Sequence, residues 1–153
     1  MKYTSQNFEL VCLHDAKILG IARNGDCITL NLSFAGLLKG HPGNPLATDH
    51  LICLNPVLTF CHVQGEEFRT WNDTSRQWDA HRHPECPLDD EVVTSEWDGL
   101  NFFLDGFHMD GWSEWRILAD GFILKWVHDH PYRAEDGDRQ AASADGESGV
   151  HGL

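Results

Sequence analysis

Two short stretches of this sequence place histidine close to other side chains that bind metals. The first stretch, residues 81–86, contains two imidazoles and a thiol. The second is His128-Asp129-His130, and in an extended strand residues two apart project from the same face. Zinc prefers imidazole and thiolate ligands, so together the stretches define a candidate zinc site. The candidate ligands are His81, His83, Cys86, His128 and His130.

Simpler interpretations compete with a metal site. Structural zinc sites use paired Cys-x-x-Cys spacings, and this sequence contains none. Solvated histidines in a polar loop explain the first stretch, and Pro131 directly after the second indicates a strand that ends in polar residues. We therefore expect no cofactor, unless the two His-x-His pairs converge in the folded chain.

The sequence also lacks the common catalytic signatures. It has no Gly-x-Ser-x-Gly nucleophile elbow, no Gly-x-x-x-x-Gly-Lys phosphate loop and no His-Glu-x-x-His metalloprotease motif. Cys61 and His62 are adjacent, and adjacent strand residues point to opposite faces, so they cannot act as nucleophile and base for each other. We expect a protein that is not an enzyme.

The most informative feature is the stretch between Arg82 and Arg116, which contains nine carboxylates, six aromatic residues and no Lys or Arg. Acidic disordered segments are poor in aromatics, so this stretch belongs to a folded region. Carboxylates beside exposed rings suit the capture of a basic protein, because charge accelerates the encounter and desolvated rings hold the complex. The alternative is that the rings form core and the acids a solvated outer face. The predicted partner-binding residues are Asp89, Asp90, Glu91, Glu96, Trp97, Asp98, Asp105, Asp110, Trp112 and Glu114.

The charge of the chain argues against nucleic acid as the partner. The 153 residues carry a formal net charge of −13. Residues 134–153 hold five acidic residues and one basic residue, and the preceding 133 residues hold 19 and 10, so the main part of the chain is itself acidic. A phosphate backbone requires clustered Lys and Arg, whereas the cations here are scattered singly.

Hydrophobic alternation and turn residues predict a mostly β fold: a single antiparallel β domain over residues 1–133, either a sandwich or a strongly curved sheet of six to seven strands with at most one or two short helices. Asn24-Gly25 and Asp120-Gly121 predict hairpin turns. An acidic start predicts a short helix over residues 89–97, and polar composition predicts a long loop over residues 64–90. Residues 134–153 lack periodicity, and we expect a disordered acidic tail.

The first residues of the chain and its cysteines indicate the cellular compartment in which we expect the protein. Residues 1–7 are polar and lead into a strand-like run, with no apolar segment typical of an export signal, and no apolar stretch is long enough to cross a bilayer. Cys12, Cys27, Cys53 and Cys61 lie within apolar runs, as reduced cysteines do. We expect a cytoplasmic protein that does not contact membranes.

Two segments, roughly residues 8–34 and 100–128, resemble small bacterial β proteins. The resemblance rests on residues 14–21 with the turn and strand that follow, and on residues 115–126. Proteins of this kind include the cytoplasmic immunity proteins of bacterial polymorphic or contact-dependent toxin systems, which are single acidic domains that neutralise a cognate toxin. The resemblance implies a binding protein that occludes the active site of a basic toxin, such as a nuclease, with carboxylates in place of phosphates. It supplies no residue motif and does not cover residues 35–99. The alternatives to this function are a small metal-binding protein of the zinc type and a β domain that binds a small ligand in the mouth of its sheet.

Overall fold

The computed structural model describes residues 1–82, 84, 90–108 and 111–133. Within these ranges the chain forms twelve β-strands and one short 3₁₀ helix, Phe8–Leu10. The strands are β1 (Lys2–Thr4), β2 (Val11–Cys12), β3 (Lys17–Asn24), β4 (Cys27–Leu32), β5 (Phe34–Leu37), β6 (Leu51–Leu54), β7 (Val57–Asn72), β8 (Gln77–His81), β9 (Asp90–Trp97), β10 (Asn101–His108), β11 (Gly111–Trp126) and β12 (His128–Pro131). The tail predicted to be disordered, residues 134–153, lies outside the described residues.

The strands form two antiparallel sheets, so the prediction of a mostly β, antiparallel fold is confirmed. The larger sheet has eight strands in the order β1-β11-β10-β9-β3-β4-β7-β8, and the smaller has four in the order β12-β6-β5-β2. The predicted number of six to seven strands was wrong. Several strands have only two to four residues, too few for hydrophobic alternation to reveal them.

The larger sheet curves until it meets itself. β11 pairs with β7 as well as with β10, so β11, β10, β9, β3, β4 and β7 form a closed circuit of paired strands. Each of these six strands therefore has a paired neighbour on both sides, although β3 and β9 share only two residue pairs, Lys17 with Glu91 and Ile18 with Asp90. β7 and β11 are long enough to pair with each other and still hold β8 and β1 at their ends.

Alternate residues of the strands fill the inside of this circuit. Phe8 is fully buried and packs edge-to-face against Phe102 and Phe122, with ring centroids 5.0 Å apart in each pair. The same apolar cluster includes Leu37 and Cys53 from the smaller sheet. The two sheets therefore share one core.

One of the two predicted hairpins is present. Asn24 pairs with Cys27 across a two-residue turn in which Gly25 has a φ of 64°, a value that favours glycine. The hairpin at Asp120-Gly121 was a wrong prediction, because the chain continues through both residues as one strand, β11. β7 pairs with the segments on both sides, and a register shift between Leu118 and Ala119 marks an irregularity in the pairing.

The predicted helix and the predicted long loop are also corrected. Residues 90–97 form β9, because pairing with β10 and β3 outweighs a helix start suggested only by acidic residues. Within residues 64–90, β7 continues to Asn72 and turns back into β8, and Trp71 pairs with Trp78. Strands with polar residues on both faces lack the alternation that identifies a strand in sequence.

The Cys53 thiol provides a test of the shared core. Its side chain is fully buried, and burial, together with the nearby Asp129 carboxylate, raises the pKa of Cys53 to about 12. We expect N-ethylmaleimide at neutral pH to modify Cys53 at least about 100-fold more slowly than the partly exposed Cys27, because the thiolate is the reactive form. Peptide mass spectrometry measures both rates, and urea should remove the difference. Equal rates in the folded protein would contradict this packing.

Candidate functional site

Five adjacent strands, β9, β10, β11, β7 and β8, present one outward face whose side chains align in rows. The residues that alternate with them along each strand point inward, as the buried Phe102, Leu104 and Trp115 show. The first row contains Glu91, Phe107, Trp112, Trp71 and Trp78, the second Thr94, Asp105, Glu114, Arg69 and Ala80, and the third Glu96, Phe103, Arg116 and Glu67. We call this surface the acidic-aromatic face.

Four large rings make up most of the first row. Phe107 and Trp112 are opposite each other and nearly perpendicular, with centroids 5.5 Å apart, and Trp71 and Trp78 form a similar pair at 5.4 Å. Ser113 pairs with Thr70, so the register places Trp112 beside Trp71 and joins the two pairs. Phe107 is 48% exposed and the three indoles are half-buried, which leaves the row accessible to a partner.

The second row brings two carboxylates face to face. Asp105 on β10 lies directly opposite Glu114 on β11, and like charges in such a pair destabilise a sheet. Arg69 donates to Glu114 from Nε at 2.9 Å and from a terminal nitrogen at 2.5 Å. In the described part of the chain, Asp105 has no ion pair of its own.

The pKa of Asp105 reflects this arrangement. Partial burial, followed by the charges of Glu114 and Glu96, raises the pKa of Asp105 to about 6, and the charge of Arg69 opposes this shift. The folded protein thus disfavours the charged form of Asp105, and a cation beside it would stabilise that form.

The second and third rows border a concavity of about 620 Å³. Phe103, Asp105 and Glu114 are among its lining residues, as are Arg69 and Arg116. Arg116 is paired with Glu67 at 2.5 Å, and the Arg69 guanidinium lies 4.2 Å from the centre of the Trp78 ring. Arg69 and Arg116 thus already have carboxylate or ring partners, whereas Asp105 has no ion pair among the described residues. Arg82 also lines the concavity.

The sequence-predicted binding residues divide into three groups. Glu91, Glu96, Asp105, Trp112 and Glu114 lie together on the acidic-aromatic face. The backbone of Asp90 begins β9, and Asp89 and Asp110 lie outside the described residues. The third group, Trp97 and Asp98, lies elsewhere.

Trp97 belongs to the opposite face of β9. Its ring stacks on Phe102 at 5.7 Å with an interplanar angle of 14°, although 42% of the residue remains exposed. Asp98 shapes the turn between β9 and β10, where its Oδ1 accepts hydrogen bonds from the amides of Leu100 and Asn101. These amides hold the pKa of Asp98 below its ordinary value.

Sequence reasoning missed Trp71, Trp78 and Arg69 as members of the site. Trp71 and Trp78 flank the turn at residues 73–76 at equal distances from it, which is the pattern of a cross-strand pair. This equal spacing about a turn could have identified the pair in the sequence. The polar composition of residues 64–90 instead led to the prediction of a long loop.

The candidate zinc ligands are distributed over both sheets. His81 ends β8 in the larger sheet and shares a 2.9 Å hydrogen bond with the Thr70 hydroxyl, whereas His128 and His130 belong to β12 in the smaller sheet. His83 and Cys86 lie outside the described residues. Among residues 1–82, 84, 90–108 and 111–133, no three His, Cys, Asp or Glu side chains are grouped to hold a metal ion.

Replacement of Asp105 by Asn should stabilise the fold in a pH-dependent way. With its pKa raised, Asp105 retains its proton in the folded state at pH values where the unfolded chain has lost it, so stability falls as the pH rises from about 4 to about 6. At about pH 7.5 we expect Asp105→Asn to raise the free energy of unfolding by roughly 1 kcal/mol, a figure reduced for solvent screening. At about pH 4 the gain should nearly vanish. Urea unfolding at both pH values measures it, and a gain of equal size at both would contradict the assignment.

Across the described residues, the structure contains no helix with the length and apolar character needed to cross a membrane. Comparison of the chain with protein-family models, with curated proteins and with solved structures finds no match.

Proposed function

We propose that this chain is a non-enzymatic binding protein that captures a basic protein on its acidic-aromatic face. The observation that carries the proposal is the placement of Asp105, Glu114 and Glu96 on the same face as the exposed aromatic row. Carboxylates and rings that are scattered along the sequence converge there on one accessible surface. The three rows contain five carboxylates and two arginines, so a basic partner offers complementary charge to this surface.

The charge of Asp105 supports a cationic ligand in particular. In the free protein, partial burial and the charges of Glu114 and Glu96 raise the pKa of Asp105, and a Lys or Arg of the partner beside it would stabilise its charged form. Binding should therefore strengthen as the pH rises through about 6, where Asp105 acquires its charge.

The aromatic row supplies the second requirement of a stable complex. Rings that become desolvated at the centre of an interface contribute most of its binding energy, whereas charges at the rim mainly set the rate of encounter. Only one residue pair, Gly106 with Ser113, separates the Phe107–Trp112 pair from the Asp105–Glu114 pair, so a single partner could contact both kinds of side chain.

In its most specific form, the proposal is a cytoplasmic immunity protein that neutralises a cognate basic toxin, such as a nuclease, by occluding its active site. Support comes from the resemblance to immunity proteins and from the net charge of −13. A toxin-like reading frame beside the gene for this chain would supply the partner for a co-expression test. Growth rescue by the chain supports the assignment, and unrescued toxicity in cells that contain the folded protein would overturn it.

The general proposal is tested by association kinetics at several salt concentrations. The immobilised protein is exposed to a Lys- and Arg-rich peptide and to an acidic peptide of equal length. We expect binding of the basic peptide alone, with an association rate constant that falls about tenfold or more between low and physiological salt. Salt-independent association, or no binding of the basic peptide, would contradict the proposal.

A further inference from the structure

A second cavity lies along the aromatic row, next to the turn between β7 and β8. Its volume is about 550 Å³, and its lining includes Trp71, Phe107, Trp112, Asp73, Asp79 and Asn72. Asp79 and Asn72 alternate with the outward residues of their strands, so side chains from both faces of the sheet reach this end. The described lining combines three large rings with two carboxylates and contains no Lys or Arg.

The two carboxylates of this cavity are held by neutral donors. The Trp71 indole donates from Nε1 to Oδ1 of Asp73 at 3.2 Å, and the side-chain amide of Asn72 donates to Oδ2 of Asp79 at 3.0 Å. Within the described part of the chain, neither Asp73 nor Asp79 has a cationic partner. Among the described residues, the cavity therefore has two carboxylates beside three rings and no Lys or Arg in its lining to neutralise them.

The same row shows how a guanidinium is bound between a ring and a carboxylate. Arg69 places its guanidinium 4.2 Å from the centre of the Trp78 ring and donates two hydrogen bonds to Glu114. This is a cation–π contact combined with a charge-assisted pair. Next to Trp78 in the row, Trp71, Trp112 and Asp73 repeat the combination of ring and carboxylate, without a Lys or Arg among the described lining residues.

We propose that this cavity binds an arginine side chain of the basic partner, an inference that rests on the proposed function. Arginine fits better than lysine because its planar guanidinium stacks on an indole and donates several hydrogen bonds in its plane, whereas the ammonium of lysine is a compact and strongly hydrated charge. A volume of about 550 Å³ accommodates the guanidinium, its aliphatic stem and the adjoining backbone.

The test compares two peptides of equal length and charge, one containing only Arg as its basic residue and one containing only Lys. We expect the wild-type protein to bind the Arg peptide about tenfold more tightly, a difference that reflects ring stacking because total charge is matched. Trp112→Leu should abolish the preference. Asp73→Asn, a conservative change in an exposed turn, should reduce it and serves as the second variant if Trp112→Leu fails to fold. Trp97→Leu is the matched control, since this partly exposed indole lies on the opposite face, and the preference should survive it.

The outcomes separate this inference from the proposed function. Equal affinity for the two peptides, or an Arg preference that persists in both Trp112→Leu and Asp73→Asn, would overturn the arginine cavity while salt-dependent binding still supports a basic partner. If neither peptide binds, both the proposal of a basic partner and the proposal of an arginine cavity are overturned.

Discussion

Reversal of two charges on the acidic-aromatic face, by Asp105→Lys with Glu96→Lys, should slow association with a basic partner by about 10- to 100-fold at low salt. Both residues lie on the face, and in the described part of the chain neither has an ion pair to lose. The change removes two attractive charges and adds two repulsive ones at the approach surface. Stopped-flow or biosensor kinetics with the basic peptide measures the rate, and the effect should shrink at high salt.

A matched control separates the face from the overall charge. Asp49→Lys with Glu9→Lys changes the net charge by the same amount, and these exposed residues precede β6 and β2 of the smaller sheet. Compared at the same salt concentration, this control should slow association much less than the face variant, and by no more than about twofold at physiological salt, where exposed charges beyond about 8 Å are largely screened. An equal loss in both double variants would show that net charge, rather than this face, attracts the partner.

The second large effect should come from Gly106→Ala, which we expect to destabilise the fold by about 3 kcal/mol. Gly106 lies at the register shift between β9 and β10, where a Cβ atom would overlap the backbone carbonyl oxygen of Glu91 and approach the Cα of Val92. Both obstacles are backbone, so the strands must separate to admit the methyl group. Urea unfolding measures the loss, and thermal unfolding should show a decrease in Tm of roughly 6–12 °C.

Gly65→Ala is the control for this change. A Cβ at Gly65 meets only the Leu118 side chain at 3.8 Å, which is ordinary contact, and its backbone is not in the left-handed region. We expect a change of less than about 0.5 kcal/mol. Equal destabilisation by the two substitutions would mean that the close approach of β9 and β10 is not what requires glycine at position 106.

The sequence identified strands where one face is buried and the other exposed. Ile28, Leu30 and Leu32 alternate with polar residues, and they form the buried face of β4. By contrast, the acidic residues at 89–91 suggested a helix start, and Asp120-Gly121 suggested a turn. Both signals are local, and pairing with distant strands overrides them. A local pattern contains no information about which distant strand will pair with it.

For a related reason, the sequence predicted only some of the residues of the candidate site. Rings at 102 and 103, or at 112 and 115, cannot share a face, and alternation alone places Phe103, Asp105 and Phe107 on one side of β10. Which side faces the core depends on closure of the larger sheet by β7 and β11. The same closure brings Trp71 and Arg69 beside residues more than 40 positions away, and no local pattern contains that information.

The central claim is that a basic partner binds on the outward face of β9, β10, β11, β7 and β8. The most direct test is an NMR titration of ¹⁵N-labelled protein with the Arg peptide, in which backbone amide and tryptophan indole signals report the contact surface. We expect the largest shifts at Asp105, Phe107, Trp112 and Trp71, with little change in the smaller sheet. Shifts that are largest in β5, β6 or β12, or equally small throughout the chain, would contradict the account.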